Sequence, residues 1–322
     1  MFRTHKIMRL FNRNIRNVII GILVITFIIG FIQIFNSMAK EKNETVQNVV
    51  TQNIVSNNKQ SYSVMTQENV GSATTTENIN LIDEFVNYCN NGNIEQAYSL
   101  ISKECKNIYY NDINGFKEYY YDIVFKTPKI VDMQAWATYK DAVTYKVEYL
   151  EDILSSGTYT PDSSIEDYIT IIRDEKGTRS ININGFINKT SVDTLISKND
   201  IDINCIEKEV YTEYEIYKFN IRNNTDKTIK LDSGESNKTV YLLDENEVKY
   251  TGFMYELSEY DLVIEPNKER ELKIKFNKFY NPDKEIEEIV FEDLILDYDI
   301  YQNTVQPEKH YKNRILVNIG IK

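Results

Sequence analysis

Histidine is almost missing from this 322-residue chain, which has only His5 and His310. A Ser-His-Asp or Cys-His catalytic arrangement would depend on one of them, and no G-x-S-x-G run supplies a nucleophile. Two histidines rule out a histidine-rich zinc site. The three cysteines, Cys89, Cys105 and Cys205, lack the spacing of a zinc cluster. No Walker loop, no G-x-G-x-x-G and no EF-hand loop is present. These absences predict no catalytic residue, no cofactor and no metal.

Positive charge is also scarce, with 37 Lys and Arg against 49 Asp and Glu and a formal net charge of −12. Five of the basic residues, Arg3, Lys6, Arg9, Arg13 and Arg16, lie within residues 1–17, where no acidic residue occurs; without them the remainder stands at −17. So acidic a remainder argues against nucleic acid as a direct partner, since phosphate binding needs clustered Lys and Arg. It argues equally against docking on anionic lipid or on teichoic-acid-like polymers. It suits divalent cations or basic protein patches, the plainer reading being a solvated, self-repelling surface.

Charge of either sign is absent from "NVIIGILVITFIIGFIQIF", Asn17 to Phe35. About eighteen apolar residues rising 1.5 Å each cover ~27 Å, close to the hydrocarbon thickness of a bilayer. The expectation is a single transmembrane helix over 18–35, with the basic tail 1–17 cytoplasmic and everything after it extracytoplasmic. A cleaved signal peptide competes, because Ser37-Met38-Ala39 offers a small-x-small site, but the apolar run exceeds the usual ~7–15 residues. No cysteine follows the run, which excludes a lipid-modified N-terminus. An uncleaved anchor in the cell membrane is the expected arrangement.

Hydrophobic residues make up 42% of the chain and charged ones 27%, a normal globular balance. The 24 tyrosines accompany a wealth of Asn, Ile and Lys and are read as codon bias rather than as a binding surface. Residues 36–77 are rich in Asn, Gln, Ser and Thr and read as a flexible linker. From Asn78 a helical period begins. Leu81, Ile82, Phe85, Val86 and Cys89 share one face, and Asn90-Asn91-Gly92-Asn93 interrupts. Ile94, Ala97, Tyr98, Ile101 and Cys105 share the next, and Ile113, Phe116, Tyr120, Ile123 and Val124 a third, capped by Asp112 and ended by Thr127-Pro128.

The period then changes to two. Met133, Ala135, Ala137 and Tyr139 alternate, with Trp136 interrupting, and Val143, Tyr145, Val147 and Tyr149 alternate after a turn. A third strand covers about 167–173, and "TRSININGFI" reads as a fourth. Residues 78–190 therefore predict an α+β domain of three helices and a curved antiparallel sheet. Residues 191–200 read as a second linker, and 201–322, with short strands and frequent turns, as an all-β sandwich.

The two cysteines around the Asn-Gly turn could form a disulfide, a metal clip or a redox pair. They could equally do no chemistry. On one unbroken second helix Cys105 would lie ~18 Å from the turn beside Cys89, too far for a disulfide. Both continue apolar faces and read as small buried hydrophobes.

The stretch "FVNYCNNGNIEQAYSLISKECK", with Gly92, Ala97, Leu100 and Ser102 in an Ala-x-x-Leu-x-Ser pattern, resembles exported members of the nuclear-transport-factor-2-like (NTF2-like) superfamily. The resemblance covers about a third of the chain. That superfamily includes isomerases, dehydratases, binding modules and subunits of secretion machines. Its isomerases place a carboxylate base and a tyrosine donor in an apolar pocket, for which Asp132, Tyr145 and Tyr149 are available here. The turns carrying Asn223, Asn224, Asp226, Asp244 and Pro266 look like those of small immunoglobulin-like sandwiches of bacterial exported proteins. The overall layout is similar to conjugation-channel proteins of the VirB8 and TcpC type. The resemblances imply a non-enzymatic, membrane-anchored envelope protein that binds protein partners or assembles into a larger complex. The alternative is an isomerase-like or ligand-binding pocket.

Overall fold

The computed structural model describes residues 63–67, 70–110, 112–139, 142–151, 164–234, 236, 238–304 and 312–319. The basic tail 1–17, the helix expected over 18–35, the cleavage site at Ala39, and both histidines lie outside the described residues. Among the described residues no helix is long and apolar enough to cross a membrane, so the single-pass membrane reading has no helix there to carry it.

Helix α1 (Ser72–Asn90) begins inside the stretch read as linker. It buries Ile82, Phe85, Val86 and Cys89, the face its 3.6-residue period predicts. Gly92, at φ +70°, ends the segment in the left-handed conformation. Its N–H and that of Asn93 donate to Cys89 O and Tyr88 O.

The second predicted helix is in fact two, α2 (Ile94–Leu100) and α3 (Lys103–Tyr109). The break has a local cause. Ser102 caps α3, its Oγ accepting the Cys105 N–H at 3.1 Å, while its own N–H donates to Ile181 O at 2.9 Å. Helix α4 (Ile113–Phe116) is capped by Asp112, whose Oδ1 accepts the N–H groups of Asn114 and Gly115. It runs through a π-helical turn, Lys117–Tyr121, into α5 (Asp122–Val124).

The first sheet has the order β1 (Lys129–Tyr139), β2 (Ala142–Glu151), β3 (Ile165–Arg173), β4 (Arg179–Asn182), all antiparallel. Period two holds along it: Met133, Ala135, Tyr145, Val147, Tyr149, Ile169 and Ile171 are buried against the helices. The interruption at Trp136 is a β-bulge, since Ala135 pairs with Tyr145 and Ala137 with Thr144. A turn from Ser63 to Thr66 sits on this bulge, the N–H groups of Val64 and Met65 donating to Ala135 O and Trp136 O.

Beyond β4 the expectation fails. "TRSININGFI" is not one strand: Asn184 and Gly185, at φ +59° and +67°, separate β4 from β5 (Phe186–Lys198). Strand β5 does not extend the first sheet; from Phe186 to Lys198 it pairs with β6 (Ile201–Tyr211), which pairs with β7 (Glu215–Asn223), which pairs with β12 (Glu269–Phe276). Residues 191–200, read as a linker, are the end of β5 and a tight turn at Asn199–Asp200. The third sheet runs β10 (Lys249–Thr251), β9 (Val240–Asp244), β13 (Ile286–Ile295), β8 (Ile229–Lys230), β11 (Val263–Ile264), with β14 (Lys312–Asn318) also on β13. The second and third sheets share one core that includes Ile203, Phe219, Ile274, Leu242, Ile289, Phe291 and Val317.

The fold expectation is thereby corrected. The described chain is mostly β, three antiparallel sheets, and not an α+β NTF2-like domain with a separate sandwich after a linker. The reason lies in β5. Its thirteen residues pair with β6 alone, yet they serve two cores: Phe186 at its start is buried with the helices, and Val192 and Ile196 in its second half pack into the core of the other two sheets. The same strand thus begins under the helices and ends as the edge of the second sheet.

Candidate functional site

The chemically most distinctive group lies where β3, the π-turn and the Asn184–Gly185 turn meet. Strand periodicity puts Asp167 on the same face as Ile169 and Ile171, both buried. Its Oδ1 accepts the Tyr168 N–H at 2.7 Å, and its Oδ2 accepts the Asn184 N–H at 3.3 Å and the Tyr120 hydroxyl at 3.1 Å. Burial pushes the carboxyl up to about 6, against the pull of these donors. The Tyr120 hydroxyl also lies 3.0 Å from that of Tyr149.

The π-turn positions Tyr120, which is 2% exposed and stacked on Phe116 at 5.7 Å. The neighbouring turn is held from two more directions. Asn184 Nδ2 donates to the Tyr110 hydroxyl at 2.9 Å, and the Tyr109 hydroxyl donates to Asn184 O at 3.2 Å. The cluster can take up one proton near pH 6 in an otherwise aromatic interior. Its hydroxyls and its carboxylate face one another.

Of the residues offered for a pocket, Tyr149 is in this cluster and the other two are not. Tyr145 is buried but accepts from Asn78 Nδ2 at 3.2 Å. Asp132 is exposed, on the outer face of β1 opposite Glu148, as the inward placement of Met133 and Ala135 requires. The carboxylate beside Tyr149 is instead Asp167. Its signal was legible, a charged residue in register with the buried Ile169 and Ile171.

A surface cleft of 390 Å³ is lined by Gly92, Asn93, Ile94, Glu95, Gln96, Ile113, Asn114 and Lys117. None of these residues belongs to the Asp167 cluster, and Lys117 is engaged with Asp122 at 2.6 Å. Cys89, Cys105 and Cys205 are free and buried, and burial pushes each thiol up to about 12. Among the described residues no group of three or more His, Cys, Asp or Glu is placed to hold a metal ion.

In the acidic stretches at 207–215 and 244–247, Glu213, Glu245 and Glu247 are exposed, whereas Glu209, Glu215 and Asp244 are buried. Glu209 lies 2.8 Å from Lys273 Nζ, and Glu215 lies 2.7 Å from Lys278 Nζ; both carboxylates are almost fully buried. Asp244, also buried, accepts the Tyr250 hydroxyl and the N–H groups of Asn246 and Val248, each at 2.9 Å. Here negative charge is structural.

No protein-family model, curated protein or solved structure matches this chain.

Proposed function

We propose that this chain is a non-enzymatic module that binds protein partners or assembles into a larger complex. The observation that carries the reading is how its aromatic residues divide. Inside, Tyr120 and Tyr149 meet each other and Asp167, so the groups best suited to act on a substrate are occupied by one another. Outside, Tyr119, Tyr255, Tyr260 and Phe279 stand 62%, 71%, 72% and 63% exposed. Tyrosine and phenylalanine are enriched at protein interfaces because they offer large rigid area, tyrosine with one polar handle. The acidic balance, −17 beyond residue 17, favours basic protein surfaces over nucleic acid.

We place the module outside the cytoplasm on the sequence alone, from the five basic residues of 1–17 and the uncharged run after them. Crosslinking intact cells that carry the full chain, followed by identification of what copurifies, tests the reading. The expected result is a reproducible protein partner. Recovery of no partner at saturating crosslinker overturns it.

A further inference from the structure

A row of rings runs outward from the core along the seam where the β6–β7 hairpin, the end of β12 and the loop after β10 come together. Tyr211 is buried and stacks on Tyr214 at 4.4 Å and 27°. The Tyr211 N–H donates to Tyr214 O and fixes the hairpin. Next comes a cation, since Lys275 Nζ lies 4.4 Å from the Tyr214 ring centroid and 5.1 Å from that of Phe253. Phe253 in turn meets Tyr255 edge-on at 5.7 Å, and Tyr255 is 71% exposed.

The backbone under this row is built tightly. The Phe253 N–H donates to Lys275 O at 2.8 Å, and the Asn277 N–H to Thr251 O at 2.9 Å. A side chain on Gly252 would meet Val240 O at 3.1 Å and the side chains of Ile274 and Phe276 at 3.2 Å. The rings are therefore presented by a fixed frame.

Exposed carboxylates stand beside these rings. Glu213 adjoins Tyr214 and Glu256 adjoins Tyr255 along the chain; burial first raises the Tyr214 hydroxyl above its ordinary value, a hydrogen bond with Tyr109 acts the other way, and the carboxylates of Glu213, Glu209 and Glu256 raise it further. Glu209 is engaged by Lys273, whereas Glu213 and Glu256 are exposed. A surface of ring faces edged by carboxylates attracts guanidinium and ammonium groups by both cation–π and Coulomb attraction. The chain already shows such a cation in place, the Lys275 ammonium between two ring faces.

We propose that Tyr214, Phe253 and Tyr255, with Glu213 and Glu256, form a docking surface for a basic, arginine- or lysine-rich extended segment of a partner protein. This rests on the partner-binding reading above and names the chemistry of the partner. An incoming arginine stacks on Tyr255 and Phe253 and competes with Lys275 for the ring faces, so Lys275 tempers the affinity. A basic segment suits a chain that is otherwise strongly acidic, because the long-range field steers the same partner that the rings then hold.

The test uses the full chain and a fluorescein-labelled twelve-residue peptide alternating arginine and glycine, read by anisotropy at about 50 mM and at about 300 mM NaCl. The peptide is expected to bind, to weaken with salt, and to lose about tenfold in affinity with Tyr255→Ala and severalfold with Glu256→Gln. Tyr255 is exposed, so its truncation leaves the fold intact. Lys275→Gln is expected to tighten binding severalfold beyond Lys249→Gln, which removes the same charge elsewhere. Unchanged affinity in Tyr255→Ala, or a Glu247→Gln control as weak as Glu256→Gln, overturns the surface. Binding of spermine as tight as the peptide overturns the assignment to a protein segment. A wild-type chain that crosslinks a partner in cells but ignores the peptide overturns this surface and leaves the broader reading standing.

Discussion

The ammonium of Lys278 lies 2.7 Å from a carboxylate oxygen of Glu215, and each side chain is 3% exposed. The second oxygen of Glu215 accepts the Tyr217 hydroxyl at 2.8 Å. Removing one member of a desolvated pair leaves the other charge stranded, at a typical cost of ~3–5 kcal/mol. Lys278→Met is therefore expected to lower the unfolding free energy by about that amount in urea titrations. The joint replacement Glu215→Gln with Lys278→Met should cost less than Lys278→Met alone. The solvent-exposed pair Lys146–Glu166, at 2.7 Å, is the contrast, and Lys146→Ala should cost under ~1 kcal/mol. A Lys278→Met variant as stable as wild type would show that the pair is not buried.

Asp167 should make stability fall as pH rises across a defined window. Its folded carboxyl sits at about 6, raised from 3.8 mainly by burial. Between those values the folded state binds more protons than the unfolded one, so the contribution is fully present below pH 3.8 and is lost as pH rises through about 6. Asp167→Asn removes this contribution. The check compares denaturant midpoints at about pH 4.5 and pH 7, where the variant should lose less on going to pH 7 than wild type does. Tyr120→Phe deletes a hydrogen bond that favours the ionised form and should move the carboxyl titration, followed by carbon NMR, to higher pH. An Asp167 carboxyl titrating at the ordinary value in wild type would refute the burial argument.

Which parts of this architecture could be read from the chain follows from what periodicity encodes. Spacing alone assigns Leu81, Ile82, Phe85, Val86 and Cys89 inward; the last four are buried and Leu81 is half-buried. Ile123 was assigned inward by the same rule and is 56% exposed, because the π-turn at Lys117–Tyr121 inserts an extra residue per turn and rotates the last turn. No local spacing announces a π-turn, and this one carries Tyr120, whose hydroxyl meets that of distant Tyr149 and the carboxylate of Asp167. Strand parity is legible on β2 and on β1 as far as Ala135; the bulge at Trp136 sends Ala137 into a different cluster from Ala135, and Asp132, offered for the pocket, is turned outward while Asp167 is turned inward. Sheet membership was not legible. Nothing in the alternation of Phe186 to Lys198 tells that the strand joins β6 rather than the first sheet, because that depends on which strand its edge meets.

Gly185 should tolerate no side chain. Its φ is +67°, and a Cβ there would lie 2.8 Å from Thr212 Oγ1. Its carbonyl accepts the Thr212 N–H at 2.9 Å and its N–H donates to Tyr168 O at 3.2 Å, so the turn cannot step aside without breaking both bonds. A left-handed non-glycine residue costs ~1–2 kcal/mol before any clash. Gly185→Ala is expected to cost about 2–3 kcal/mol in denaturant titrations. Adding Thr212→Ala should return the steric part and leave the backbone part. If the double variant is no more stable than Gly185→Ala, the clash is not the reason.

The three thiols should be silent in the folded chain and reactive only when it opens. Cys89, Cys105 and Cys205 are 1%, 0% and 0% exposed, and burial raises each thiol to about 12, so almost no thiolate exists at pH 8. In unfolded chain the same groups return to an ordinary value near ~8.5 and react readily with an aromatic disulfide reagent. Titration at pH 8 should count no fast thiol in native buffer and three in concentrated urea. The slow native rate should follow stability, so Lys278→Met, which weakens the later sheets, is expected to speed Cys205 more than Cys89 or Cys105 if those sheets open on their own. Mass spectrometry of the labelled peptides separates the three. A thiol that reacts within seconds in native buffer would show that the helix faces carrying Cys89 and Cys105, or the sheet face carrying Cys205, are not closed over their cysteines.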